Sequence, residues 1–427
     1  MPTIPSTIKP VATTFVIAAY NSINSTRADF KASNNNAQDI INQAINQLSS
    51  IGGEIKLLEG TYTISGPIKL KDNIKLSGIP RSTIITIPDN FNTDINAFQN
   101  GELTSANSNI NIRDLIIDMN SANQSGGTMN GMMMFNVDGL DLIDVVIRNI
   151  LNTGVEVEGG DNITLDRVRT INNNGRTIYI HDSDGCTVRN CFATESGSHG
   201  IFIENLTAPS FISDNACILN SISGITVINS DSVRLTNNIC RNNDIDGIYI
   251  QDTEGHFISN NTIIDNLTNG IELQSSENGI VTNNLVSTNS GIGILANASP
   301  LNTITANRLD SNGSHGIQNT GASIGSTIDN NKVTASGGHG IDNSSTNIIL
   351  ASNSIGGSGS GFANINNSSG SCNIQNNLCR SLGTTDYGIL NSGSNNIIAH
   401  NDLLSGGTVA DFSDNGTGTV LFGGNRT

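Results

Sequence analysis

The chain keeps returning to one phrase. "TGVEVEG" (Thr153 to Gly159), "HGIFIEN" (His199 to Asn205), "DGIYIQD" (Asp246 to Asp252) and "NGIELQS" (Asn269 to Ser275) each set apolar residues on alternate positions after a glycine or close to one. Such alternation marks a short strand with one row of side chains inward and one outward. The glycine recurs at Gly131, Gly154, Gly200, Gly224, Gly247, Gly270, Gly293, Gly316, Gly340, Gly361 and Gly388, with Thr177 standing in once, so the step is about 23 residues. A period of that length means stacked windings, each burying its apolar side on its neighbours. With 45 glycines, 4% aromatic residues and no Trp, the 427-residue chain has few large side chains for a compact core and enough Ile, Val and Leu for a thin one.

A second element, apolar-x-x-Asn, falls about halfway through each winding, as in "VTNNL", "IDNNK" and "IQNNL". Its row of Asn190, Asn215, Asn238, Asn261, Asn284, Asn307, Asn331, Asn353, Asn377 and Asn401, begun by Asp114, Asp144 and Asp166, predicts a hydrogen-bonded ladder in a left-handed turn, because Asn tolerates that conformation and its amide both donates and accepts. A leucine-rich repeat shares the period, but L-x-x-L-x-L is missing and no helical pattern recurs within the windings. Cys217 and Cys240 fall two places after the ladder row, in line with Ile263, Val286 and Leu309, and are read as reduced core residues.

The "GI-x-I" phrase and the recurring Asn resemble the right-handed parallel β-helix of the pectate-lyase superfamily. "NAQDIINQAINQL" (Asn36 to Leu48), with Ile40, Ile41, Ala44, Ile45 and Leu48 on one face, and the "GGEIKLLEGTYTISGPIKL" that follows resemble that superfamily's helical plug and first windings. The "FVIAA" opening resembles phage tail-associated β-helix proteins. The resemblance implies an all-β, single-stranded right-handed parallel β-helix of about 23 residues per winding. It divides the chain into an attachment segment over residues 1–35, a capping helix over 36–51, the β-helix over 52–415 and a cap or assembly segment over 416–427. It also implies a tail spike, most often a homotrimer, or attachment to a larger particle.

The formal charge of −17 speaks against nucleic acid and anionic membrane surfaces as partners, since both call for basic patches. No stretch approaches the ~20 apolar residues of a membrane span. The opening residues carry no basic region of the signal-peptide kind, so the chain is expected outside the cell or on a virion without that signal. Between Gly131 and Ser290 there are 20 Asp and Glu against 7 Lys and Arg, and beyond Ser290 there is no Glu. Acid therefore concentrates on the middle windings.

There the outward rows also change character. Two places after the repeat glycine come Glu156, Tyr179, Phe202, Tyr249 and Glu272, and four places after it Glu158, His181, Glu204, Gln251 and Gln274. Successive windings would put His181 between Glu158 and Glu204, the two carboxylates about 9–10 Å apart. That is the upper edge of the spacing for an inverting glycosidase. Tyr179 beside His181 suggests a different chemistry, proton transfer at C5 of a uronic acid. A uronate would be repelled by this acid unless Ca2+, held by oxygen ligands such as Glu156, Glu158, Asp161 or Asp182, bridged the charges. No other cofactor is called for. The candidate site is thus Glu158, His181, Glu204 and Tyr179 for catalysis, Glu156, Phe202, Tyr249, Gln251, Glu272 and Gln274 for a polysaccharide, and Asp161 and Asp182 for a metal. A free-standing polysaccharide lyase, epimerase or hydrolase and a purely structural fibre are the alternatives. "GHG" at Gly338 to Gly340 resembles polygalacturonases, but no Asp-Asp dipeptide accompanies it, so that chemistry is not carried over.

Overall fold

A computed structural model describes residues 14–101 and 106–427. The expected attachment segment falls partly on residues 1–13, outside the described residues. The fold is an all-β parallel β-solenoid with windings of about 23 residues and one α-helix near the N-terminus. It comprises two compact units, one ending at Ala216 and the other beginning at Cys217.

In the first unit, strand Thr14–Ala18 pairs in parallel with Phe30–Lys31 and Gly53–Leu57. The helix Ala37–Leu48 buries Ile40, Ile41, Ala44, Ile45 and Leu48, the face expected from the sequence, and packs on the strands Gly53–Leu57, Gly60–Thr63 and Ile68–Leu70. Three strands per winding follow, as in Asp161–Asp166, Arg169–Asn173 and Ile178–His181. Inward residues such as Val155, Val157, Ile178, Ile180, Ile201 and Ile203 are fully buried, which fixes the register, since a slip of one residue would turn them to solvent.

The second unit repeats the pattern from Ile225–Ile228 to Val420–Phe422. Its repeat glycines are required by close approach. A Cβ on Gly247 would sit 2.3 Å from Ile263 Cγ2 and 2.8 Å from the Gly270 carbonyl. The Asn ladder runs from Asn238 to Asn401 on the residues the sequence suggested, but the left-handed conformation falls one place earlier than expected. The left-handed residue is the one just before each ladder asparagine, as at Asn237, Asn260, Asn283, Ala306, Asn330, Ser352, Asn376 and His400. Each ladder Asn is itself buried, and its Oδ1 accepts from the backbone and side-chain N–H groups of the winding before, from Asn238 and Asn261 at 2.8 and 3.1 Å through to Asn401 and Asn425 at 3.0 and 3.2 Å. In the first unit Asp114, Asp144 and Asn190 occupy the left-handed position, so the ladder does not extend through them. Two further ladders went unread: Asn220, Asn243, Asn266, Asn289 and Asn312, and Asn319, Asn343, Asn367 and Asn391. All six cysteines are free and buried.

His256 packs its ring against Gly279. It is 1% exposed, and a Cβ on Gly279 would lie 2.0 Å from its Nε2. Gly279→Ala therefore overpacks a site whose neighbours cannot retreat, and is expected to destabilise the unit by about 2 kcal/mol in denaturant unfolding, with a drop in the midpoint and no change in slope.

Candidate functional site

Three strands of the first unit, Val155–Glu158, Ile178–His181 and Ile201–Glu204, lie side by side. Their register stacks Glu156 on Tyr179 on Phe202, and Glu158 on His181 on Glu204, as the 23-residue step required. The side chains then regroup. The Tyr179 hydroxyl donates to Glu204 Oε2 at 2.5 Å, one winding on, and its ring stacks on His181 at 4.2 Å and 16°. Phe202 stacks against the same ring at 5.0 Å. The Arg176 guanidinium lies 4.1 Å from the Tyr179 ring centre and 5.0 Å from that of Phe202. Tyr179 and Phe202 are only 8% and 5% exposed, so their faces are taken by Arg176, His181 and each other and are not open to a sugar ring.

His181 is gripped from both sides. Its Nδ1 meets Asp182 Oδ2 at 2.8 Å, and its Nε2 lies 3.6 Å from Glu156 Oε1, an ion-pair distance too long for a hydrogen bond. Asn205 Nδ2 holds the other oxygen of Asp182 at 3.0 Å. Burial alone would depress the imidazole's pKa, but Glu156 and Asp182 outweigh it and raise the pKa above the ordinary value. Burial, and then the Glu204 carboxylate, push the Tyr179 phenol up, so it stays protonated and donates. His199, 4.9 Å from Phe202, is driven the other way, down to about 4, by burial and by Arg176.

The remaining expected residues fall as follows. Glu158 is half-buried and makes no side-chain hydrogen bond or ion pair among the described residues. Asp161 opens the strand Asp161–Asp166 and is exposed, in register with Asp184. Among the described residues no group of three or more His, Cys, Asp or Glu is placed to hold a metal ion. Asp182, expected as a Ca2+ ligand, is occupied by His181 and Asn205. Tyr249, Gln251, Glu272 and Gln274 belong to the second unit, where Tyr249 pairs in register with Glu272 and Gln251 with Gln274. They bond among neighbours there: Tyr249 to Gln251 at 2.9 Å, Asn269 to Glu272 at 2.7 Å and Asn297 to Gln274 at 2.8 Å. Arg176 was missed, although it is the only Lys or Arg from Thr170 to Val188 and sits just before the one repeat position where Thr replaces Gly.

Three adjacent strands of a parallel β-solenoid thus carry one acid–base cluster. Two family models match. Periplasmic copper-binding protein (NosD) covers residues 143–321, and the right handed beta helix region covers residues 246–404. Among solved structures, the A-module of Azotobacter vinelandii mannuronan C-5 epimerase AlgE6 is similar at 17% identity over 92% of this chain and 96% of that one, with a TM-score of 0.52. A tailspike protein double mutant of E. coli bacteriophage HK620, in complex with a pentasaccharide, is similar at 14% identity over 91% and 75%, with a TM-score of 0.57. At such identities the likeness speaks for the fold alone. No curated protein matches the sequence significantly. Among the described residues no helix is long and apolar enough to cross a membrane.

Proposed function

We propose that the protein is an extracellular or virion-borne β-helix spike that binds a cell-surface polysaccharide on the face carrying Arg176, His181 and Glu204, and cleaves it there. The observation that carries this reading is the 2.5 Å contact from Tyr179 to Glu204 beside an imidazole held between two carboxylates. Glu204, which accepts the phenol's hydrogen bond, is assigned as the general base. His181, its pKa raised, is the acid. In the step proposed, Glu204 takes a proton from water, and the water oxygen bonds to the anomeric carbon. The bond from that carbon to the glycosidic oxygen breaks, and that oxygen takes the His181 proton. Glu204 then releases its proton to solvent and His181 takes one up, which restores the starting state. The strongly acidic surface and the fold shared with a glycan-bound tailspike support the spike assignment.

The test is to incubate the full chain with bacterial capsular polysaccharides and pectin-like polymers while following reducing ends, and to measure its mass in solution. A cleaved capsule and a stable mass three times the 44.8 kDa chain are expected. A monomer that turns over no polymer would overturn the reading. The position of Arg176 against Tyr179 favours one second reading, in which the guanidinium neutralises a uronate carboxylate while Tyr179 and His181 move the C5 proton. An unsaturated, ultraviolet-absorbing product, or an epimer without chain cleavage, would identify that chemistry.

A further inference from the structure

The second unit carries a different polar cluster, built around His315 and His339, each of which directly precedes a repeat glycine, Gly316 and Gly340. The imidazoles of His315 and His339 stack at 5.3 Å and 7°, and Phe362 sets its edge against both, 4.9 Å from His339 and 6.3 Å from His315. The His339 backbone N–H donates to His315 Nδ1 at 3.0 Å, and the Ala363 N–H donates to His339 Nδ1 at 2.9 Å. A nitrogen that accepts from a backbone N–H cannot carry a proton, so in both rings the hydrogen is on Nε2. Two parallel rings thus present two N–H donors from the same edge.

One strand position away is the matching acceptor. Gln318, Asp342 and Asn366 lie in register on adjacent strands. Gln318 donates to Asp342 Oδ2 at 2.8 Å and Asn366 donates to Oδ1 at 2.7 Å, which orients the carboxyl group and leaves acceptor capacity on its oxygens. His315 Nε2 stands 3.9 Å from Asp342 Oδ2, beyond a hydrogen bond. The donors and the acceptor therefore face the same half-buried surface without consuming one another.

This arrangement excludes several ligands. A metal on Nε2 would force the ring proton onto Nδ1, against the backbone N–H. An anion would meet Asp342, and a cation would meet the two N–H edges. A hydroxyl, which accepts from imidazole and donates to carboxylate, satisfies all three groups. We propose that His315, His339 and Asp342 form a binding site for vicinal hydroxyls of an uncharged sugar, separate from the acid–base cluster at Glu204 and not dependent on its function.

The chain has six histidines, so selective 15N labelling makes their side-chain signals tractable in the full-length protein. Both rings are expected as Nε2–H tautomers at neutral pH. At least one uncharged hexasaccharide, from hexaoses of glucose, mannose and galactose used as probes, should shift both signals and bind by calorimetry. His339→Asn keeps an acceptor for the Ala363 N–H and removes only the outer donor; it should weaken binding about tenfold, as should Asp342→Asn. Tyr179→Phe should leave this binding unchanged. Rings found as Nδ1–H tautomers, Zn2+ displacing the Nε2 protons, preference for hexagalacturonate, or silence toward all three neutral hexaoses would each overturn the proposal.

Discussion

Glu204→Gln is expected to lower polysaccharide cleavage about 10³-fold while polymer binding changes only a few-fold, measured as initial rates of reducing-end release beside calorimetric binding on the same preparation. The amide keeps the shape of the side chain and still accepts from the Tyr179 hydroxyl 2.5 Å away, so the local packing has no reason to collapse. What it loses is the capacity to take a proton from water. Tyr179→Phe, which leaves the carboxylate but removes its hydrogen bond, should cost less, about 10²-fold. His181 supplies an independent check through pH. Its pKa is raised by Glu156 and Asp182, and an acid works only while protonated, so activity should persist above the ordinary imidazole range and fall as pH rises through the raised value. His181→Asn should remove that alkaline limb along with most of the rate. Turnover unchanged by Glu204→Gln would remove Glu204 from the chemistry. An unchanged alkaline limb in the His181 variant would assign the acid elsewhere.

The period and the alternation are local patterns, so the windings, the helix at Ala37–Leu48 and the stacking of Glu158, His181 and Glu204 could all be read from residue spacing. Side-chain direction within the outer rows could not. The register puts His181 between Glu158 and Glu204, but Tyr179 reaches one winding on to Glu204, and His181 turns to Glu156 and Asp182, leaving Glu158 without a partner. Those choices depend on rotamers and on Arg176, whose stem comes from the turn rather than the strand. The one-place error in the left-handed position has a comparable cause. The left-handed residue and the buried one are adjacent, and in pairs such as Asn260 with Asn261 and Asn283 with Asn284 both are asparagine, so composition cannot tell which is which. The division between units hides another limit. Tyr249, Gln251, Glu272 and Gln274 continue the same rows in the alignment, yet their hydrogen bonds run among residues of the second unit.

Asp246→Asn is expected to make the second unit lose roughly 3 kcal/mol of local stability as pH falls from 6.5 to 4, a loss the unaltered protein masks. Two buried groups there titrate in opposite senses. Burial pushes His256 down to about 4, against a weak opposing effect of the Thr253 backbone, and neither ring nitrogen has a hydrogen-bond partner. Its folded pKa is depressed, so the unfolded chain takes up the proton first. The stability tied to neutral His256 is whole above the ordinary imidazole value and disappears as pH drops through about 4. Asp246, 3% exposed, goes the other way: burial, with Glu272 adding to it, lifts the carboxyl to about 7 despite the Asn269 N–H at 2.9 Å. A raised carboxyl is protonated first in the folded state, so its contribution is full below the ordinary Asp value and is lost as pH climbs through about 7, a change of roughly 4 kcal/mol. Across the shared window the two slopes nearly cancel. Removing Asp246 exposes the His256 slope. His256→Phe, which keeps a ring over Gly279 without a titrating nitrogen, should expose the reverse, a unit that gains stability on acidification. Hydrogen exchange of the amides from Ile248 to Gln274, followed from pH 4 to 7 and referenced to the unaltered chain, reads the local opening free energy without assuming that so long a stack unfolds in one step. Parallel pH profiles in all three proteins would mean that neither group changes its proton on folding. The burial that moves both pKa values would then have to be relieved by water entering beside them.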